Sequence, residues 1–435
     1  MVDTPTRSEP ASVSQRVLQL MERYRGRHGG LNNPVLYQLA GRCDVAAFER
    51  AVAALAARHE ALRTTFAGWG QRLSQQVHDQ LPADITVVDV AGRANPVAAA
   101  REALGTALST SLDLTVTPIR WLVLQRRDDH LVCANVHHLA TDGWSNDLIA
   151  RDMRVLYHRE TGAGTDELPP VDWQYADFAR WQRERLDGPA GARHRQFWQQ
   201  QLADARSPVI PRRTVVPAER TGRAQAVHFG ISPGLTGRLQ QLATEQRTTL
   251  FTVMLSVFSA YLYAESGQTD VAVATLLANR KQRELGNTVG CFSTLAVLRT
   301  RLGDEPTFLD VVRGTRSTVL SALTHQEYPL QLLPPNVIGT DTGRADDVVF
   351  QMLPTVTRDD SLGDTVDGLF SEDRRGARFD LEIILAAQGD GLAGSVRYAV
   401  DKFDPDWAPT FAETYARCAE DAVNAPDKPI ERRSG

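Results

Sequence analysis

His137-His138-Leu139-Ala140-Thr141-Asp142-Gly143 places two imidazoles, a carboxylate and a glycine within seven residues, and Trp144-Ser145 follows directly. The preceding stretch, 131–136, reads as a buried strand; the following one, 145–159, reads as a helix with Leu148, Ile149, Met153 and Leu156 on one side. Side chains alternate faces along a strand, so His137 and His138 are expected to point to opposite sides. That geometry suits one working base beside one structural histidine better than a metal-binding pair.

The chain has 435 residues, too many for one comfortable core, so two lobes are expected. Hydrophobic residues make up 42% and charged residues 23%, an ordinary globular balance. A net charge of −5 gives no electrostatic case for nucleic acid or anionic membrane. No apolar run approaches membrane-spanning length, and residues 1–15 lack the apolar core of a secretory signal. Cys43, Cys133, Cys291 and Cys418 are scattered without metal-ligand spacing. They read as reduced thiols of a cytoplasmic protein with no metal site.

Working outward, Asp44 is a plausible N-cap for a helix over 45–58 carrying Val45, Phe48, Val52 and Leu55. A strand near 85–90, a helix over 97–108, and a hairpin of 121–125 with 130–136 follow. Ser145 is placed to cap the helix after the histidines. Residues from about 183 to 223 are rich in Arg, Gln, Ala and Pro and read as a connection between an N-terminal lobe, 1–182, and a C-terminal one, 224–435. The second lobe opens on a strand over 226–231, with Ser232-Pro233 starting a helix over 235–246. A helix over 250–264, strands over 270–276 and 348–354, a hairpin of 379–387 with 394–399, and a terminal helix over 409–422 complete an α/β pattern of mixed sheets. There is no Gly-rich phosphate loop, no GxSxG and no HExxH.

Several further stretches agree with the histidine motif in order and spacing. They are Ser12-Val13-Ser14-Gln15-Arg16-Val17-Leu18, in which a Gln stands where tryptophan is usual, and Arg58-His59-Glu60-Ala61-Leu62-Arg63-Thr64-Thr65-Phe66. Tyr175-Ala176-Asp177-Phe178-Ala179-Arg180-Trp181 is the next. Asn279-Arg280 with Glu284 and Val289-Gly290-Cys291-Phe292 follows, and then His325-Gln326-Glu327-Tyr328-Pro329. Together they resemble the condensation domains of nonribosomal peptide synthetases over nearly the whole chain. The sequence departs where Ser293 and Thr294 replace the Asn-Thr usual in that family. The Arg-Asp motif expected late in the chain is only faintly present around 344–350.

The resemblance implies two chloramphenicol acetyltransferase-like lobes in a V with an active-site tunnel. It also implies a donor thioester on the 4'-phosphopantetheine arm of a carrier protein, no bound cofactor, and an amine or alcohol acceptor. A free-standing, monomeric enzyme of natural-product biosynthesis is expected, forming an amide or an ester. Within that frame His138 is the group that accepts or positions the nucleophile's proton, and His137 is structural, bonding its own loop. Asp142 is either the orienting member of a triad or, the favoured reading, half of an ion pair with Arg63 or Arg280. Gly143 serves a positive φ, a close backbone approach, or a plain turn. Its N–H or the Ser145 hydroxyl is the candidate oxyanion donor, and Trp144, Ser293 and Thr294 are candidates to line the substrate channel. Tyr175, Phe178 and Trp181 read as packing, and His325 has no assigned chemistry. The rival functions are a coenzyme A- or carrier-dependent acyltransferase of the same superfamily, and a non-catalytic platform that docks carrier proteins or an oxygenase.

Overall fold

The protein is seen here as a computed structural model describing residues 5–25, 31–41, 43–127, 129–210, 223–340, 343–344, 346–353, 377 and 379–433. They form two compact units. The first reaches to Pro189 and takes in Ala278–Ser293; the second holds the rest of the described chain. The expected halves assigned 278–293 to the C-terminal lobe, whereas this short segment is integrated into the first unit.

The first unit contains β1 (Arg7–Pro10), α1 (Val13–Arg25), β2 (Asn32–Ala40), α2 (Val45–Arg58), β3 (Thr64–Ala67), β4 (Ser74–Val77), β5 (Ile85–Asp89) and α3 (Pro96–Ser109). It continues with β6 (Ile119–Gln125), β7 (Asp129–His137), α4 (Gly143–Glu160) and α5 (Tyr175–Asp187). A four-stranded sheet runs β2-β7-β6-β5, antiparallel except for the parallel pair β5 and β6; β1-β4-β3 form a second, antiparallel sheet. The N-cap anticipated for α2 is made: Asp44 accepts from the Ala47 N–H at 2.9 Å. Helices α2 and α4 bury Phe48, Leu55, Ile149 and Met153 against Trp121 and Val123 of the sheet, with the Phe48 and Trp121 rings edge to face at 5.6 Å. The short polar strands β1, β3 and β4 lack the apolar alternation that reveals a strand in sequence, and so escaped the pattern reading.

Part of what ties α2 to α4 is polar. His59, fully buried just past the end of α2, places Nε2 2.9 Å from Asp152 of α4, and Arg58 Nε reaches the same carboxylate at 2.8 Å. Burial pushes the His59 imidazole below its ordinary range, against the opposing pull of Asp152. Burial alone would raise the Asp152 carboxyl, but its bonds to His59 and Arg58 hold it below the usual range. Arg58 and His59, quoted above as part of a motif, thus tie the two helices through a buried carboxylate.

The second unit holds α6 (Pro189–Leu202), β8 (Ala224–Ile231), α7 (Pro233–Glu245), α8 (Leu250–Ser266), β9 (Asp270–Leu277), β10 (Thr294–Arg301) and α9 (Phe308–His325). After these come the short α10 (Pro335–Ile338), β11 (Gly339–Thr340), β12 (Gly343–Arg344), β13 (Val348–Leu353), β14 (Leu381–Gln388), β15 (Gly391–Ala399) and α11 (Trp407–Asn424). Its six-stranded mixed sheet runs β10-β9-β13-β14-β15-β8. Ser232 caps α7 at the Leu235 N–H with Pro233 at the first helical position, as its sequence predicts. Helix α8 is apolar nearly all round and buried along most of its length, as a core helix must be. Helix α6 lies inside the stretch expected to be a connection; Ala190, His194, Trp198 and Leu202 give it a buried face that its Gln- and Arg-rich composition concealed. Pro211 and Pro217 lie outside the described residues.

With the His59 pKa lower folded than unfolded, the stability His59 contributes is complete above the unfolded value of about 6.5 and is lost as pH falls through it. Thermal melts from pH 8 down to about 5 should show Tm falling below about 6.5, with a shallower fall in His59→Gln, which cannot take up that proton. A slope unchanged by the substitution would disprove the assignment.

Candidate active site

Strand β7 ends at His137, paired with Asn32 of β2, so His138 is the first residue of the turn and not a strand position. The two imidazoles meet different partners. The backbone around them is held tightly: His138 N–H donates to the Leu31 carbonyl at 2.8 Å, and Ala140 N–H to the His137 carbonyl at 2.8 Å.

The partners determine which nitrogen of each ring carries the proton when neutral. His137 is buried; its Nδ1 receives the Leu139 N–H at 3.2 Å, so its proton sits on Nε2, facing Glu22 Oε1 at 3.3 Å. His138 is half-buried; its Nδ1 lies 2.8 Å from the Thr141 carbonyl, which can only accept, so Nδ1 carries the proton and Nε2 the basic lone pair. Adjacent histidines thus adopt opposite tautomers.

Asp142 is fully buried and does not orient His138. It is the N-cap of α4: Oδ1 accepts from the Ser145 N–H at 2.8 Å and lies 3.3 Å from Arg280 Nη2. Oδ2 accepts from the N–H groups of Phe292 at 2.9 Å and Ser293 at 3.2 Å. Arg280, 4% exposed at its side chain, also donates to the carbonyls of Leu285 at 2.6 Å and Thr288 at 2.8 Å and stacks over the Phe292 ring at 4.1 Å. The residue before it, Asn279, sits at φ 51°, a left-handed conformation that Asn tolerates. Of the two arginines named for the ion pair, the structure brings Arg280 to Asp142. Arg63 instead donates to the carbonyls of Ala56 and His78 and lies 3.5 Å from Glu60, because it sits past the end of α2, where free carbonyls await a cation.

Two roles suggested for Ser145 are not available to it. The helix begins two residues earlier and is capped by Asp142, so Ser145 receives the cap. Its hydroxyl donates to the Gly290 carbonyl at 2.8 Å and accepts from the Gly290 N–H at 3.0 Å and Arg280 Nη2 at 2.7 Å, which uses its capacity. Gly143 has no positive φ, and a Cβ there would meet nothing within 4 Å. As first residue of α4, it and Trp144 present N–H groups with no partner inside the helix. Trp144 is 49% exposed and donates from Nε1 to the Gly286 carbonyl at 3.2 Å. Ser293 Oγ lies 3.4 Å from Asp142 Oδ2, while Thr294 is buried at the start of β10 in the second unit.

Close approach is needed instead at Gly290, where an added Cβ would lie 1.9 Å from Tyr175 Cδ2. The Tyr175 ring packs edge-on to Phe292 at 4.9 Å, and its hydroxyl donates to the Cys291 carbonyl at 2.6 Å. Sequence reading passed over Cys291, whose Sγ lies 3.9 Å from His138 Nδ1. It also took Tyr175 for packing alone. A tyrosine at a helix start and a distant glycine give no local hint that they interlock.

A mixed α/β chain with a histidine at the exit of a central strand, its basic nitrogen set by the turn, and an Arg–Asp pair beneath the turn has the makings of an acyltransferase. The chain belongs to the Condensation domain family, which matches residues 7–434. Members of this family in peptide synthetases form amide and ester bonds. The chain is 33% identical over 326 residues, 74% of its length, to Chondramide synthase cmdD from Chondromyces crocatus. It is 29% identical over 99% of its length to the Beauvericin nonribosomal cyclodepsipeptide synthetase BEA1 from Gibberella fujikuroi. It spans only 8% and 14% of those two proteins. Among solved structures, the X-domain complexed with OxyB from teicoplanin biosynthesis superposes with a TM-score of 0.81 at 26% identity, covering 99% of this chain and 96% of that one. The SgcC5 protein from Streptomyces globisporus shares the fold, with a TM-score of 0.79, 24% identity, and coverage of 97% of this chain and 100% of that one.

Replacing Asp142 with Ala leaves the buried Arg280 charge unpaired and should cost about 3–5 kcal/mol in chemical denaturation. Gly290→Ala should cost about 1–3 kcal/mol or more through overpacking against Tyr175, while Gly143→Ala should stay within about 0.5 kcal/mol of the parent. Equal effects of the two glycine substitutions would contradict the packing described.

Proposed function

We propose that the protein is a free-standing condensation enzyme. It joins an acyl or aminoacyl thioester, delivered on the phosphopantetheine arm of a carrier protein, to an amine or alcohol. The observation that carries this reading is the tautomer of His138. With Nδ1–H held by the Thr141 carbonyl, the basic lone pair sits on Nε2, the nitrogen proposed to take a proton from the attacking group. As that group adds to the thioester carbonyl, the oxygen gains negative charge, and the first-turn N–H of Gly143 is the proposed donor to it. Collapse of the adduct expels the carrier thiolate, which takes up the proton held by His138. The open space at Gly143 supports a donor path past the start of α4. Ser293 and Thr294 remain the proposed determinants of acceptor choice. No helix among the described residues is long and apolar enough to cross a membrane, and the four cysteines are free thiols.

A second reading, a platform that recruits carrier proteins or an oxygenase, is favoured by the likeness to the X-domain solved with OxyB. The two separate in one assay: a panel of acyl-carrier thioesters with amine and alcohol nucleophiles, run with the parent protein and His138→Ala. Condensation predicts product above background and a loss of ~10²–10⁴-fold in the variant, the range for removal of a general base. Turnover untouched by the variant would remove His138 from the chemistry. Absence of any turnover together with tight oxygenase binding would establish the platform.

A further inference from the structure

The Ser12–Gln15 stretch belongs to a motif from which this chain departs, and the chemistry above makes no use of it. We propose that the start of α1 and the start of α5 together form a positioning clamp for His138, with Gln15 and Tyr175 as its two jaws. The inference rests on the reading of His138 as the working imidazole, but its test does not.

Gln15 is buried, and its amide orientation is dictated by obligate partners. Oε1 accepts from the Ser12 N–H at 3.0 Å, and Nε2 donates to the Leu139 carbonyl at 3.0 Å, with the Gln75 Oε1 at 3.4 Å. Leu139 directly follows His138, and its N–H is already committed to His137 Nδ1. Both polar groups of that residue's backbone are therefore held, one by the structural histidine and one by α1.

The second jaw is a directed chain of hydrogen bonds. The Cys291 carbonyl can only accept, so the Tyr175 hydroxyl donates to it; the tyrosine oxygen then accepts from Ser12 Oγ at 2.7 Å, and Ser12 Oγ accepts from the Gln15 N–H at 3.2 Å. This fixes Cys291, whose thiol lies against the same Nδ1 that donates to Thr141. The helix start is itself secured, since the Val13 N–H donates to Gln182 Oε1 of α5 at 3.0 Å. Gln15 of α1 thus braces the His138 turn from its following peptide, and Tyr175 of α5, tied to Ser12, braces it from the facing Cys291. All of these residues lie within the first compact unit. None is proposed to touch substrate, so they are positioning residues.

The test reads the imidazole itself. In protein labelled with ¹⁵N-histidine, with the His138 resonances assigned by their absence in His138→Ala, long-range nitrogen–carbon-proton correlations report the tautomer near neutral pH. The parent should show the Nδ1–H form. Gln15→Glu keeps the shape but sets a carboxylate against the Leu139 carbonyl, and Tyr175→Phe keeps the ring against Gly290 while removing the donor to Cys291. Each is expected to shift the His138 ring nitrogens towards the averaged values of a tautomer mixture. If Gln15→Glu fails to fold, Tyr175→Phe alone decides. Folded variants with parental His138 nitrogen shifts overturn the clamp, whether or not His138→Ala loses turnover. Full turnover in His138→Ala with shifted variants would instead overturn the catalytic reading and leave the clamp standing.

Discussion

The site depends on where the Asp142 carboxylate spends its hydrogen-bonding capacity. A fully buried anion is tolerated only when its lone pairs are satisfied and its charge is met. Asp142 meets both conditions by reaching in two directions: to the first turn of its own helix, and to Arg280, Phe292 and Ser293, 138 to 151 residues away in sequence. The histidine turn and the 279–293 segment are thereby one object. This is why the compact first unit includes a segment from the later half of the chain.

Given that anchor, the division of labour between the histidines follows from hydrogen-bond valence. Leu139 offers a donor and Thr141 an acceptor, so the neutral rings settle into opposite tautomers. A triad in which Asp142 orients His138 is excluded by the same accounting, because the backbone carbonyl of Thr141 holds the place a carboxylate would take. In the proposed reaction, chemistry at Nε2 would need only a nucleophile and a thioester brought together, and proximity is worth many orders of magnitude in rate.

Ser145 illustrates how tertiary contact changes a residue's meaning. Serine near a helix start is a reasonable cap, and serine beside a reacting carbonyl is a reasonable oxyanion donor. Here its hydroxyl is consumed by both polar groups of Gly290 and by Arg280, so it works as a rivet. Gly143 shows the converse: its backbone is ordinary helix and a Cβ there would meet nothing within 4 Å, so no local packing requires a glycine.

Local patterns made much of the fold legible: the Asp44 and Ser232 caps, the hairpin leading to His137, and the apolar run of α8 all depend on neighbours within a few residues. The close spacing of His138 and Asp142 was legible too, because one short motif carries them. What stayed hidden depended on long-range pairing. Polar strands β1, β3 and β4 have no apolar period, and α6 buries a face diluted by Gln and Arg. Nothing in sequence separates Arg63 from Arg280 as the partner of Asp142, nor joins Tyr175 to Gly290, or Gln15 to Leu139. Sequence alone determined the chemical inventory and most of the helices. Tertiary structure decided which of those groups meet, because a buried polar atom takes whatever partner the folded backbone brings within about 3 Å.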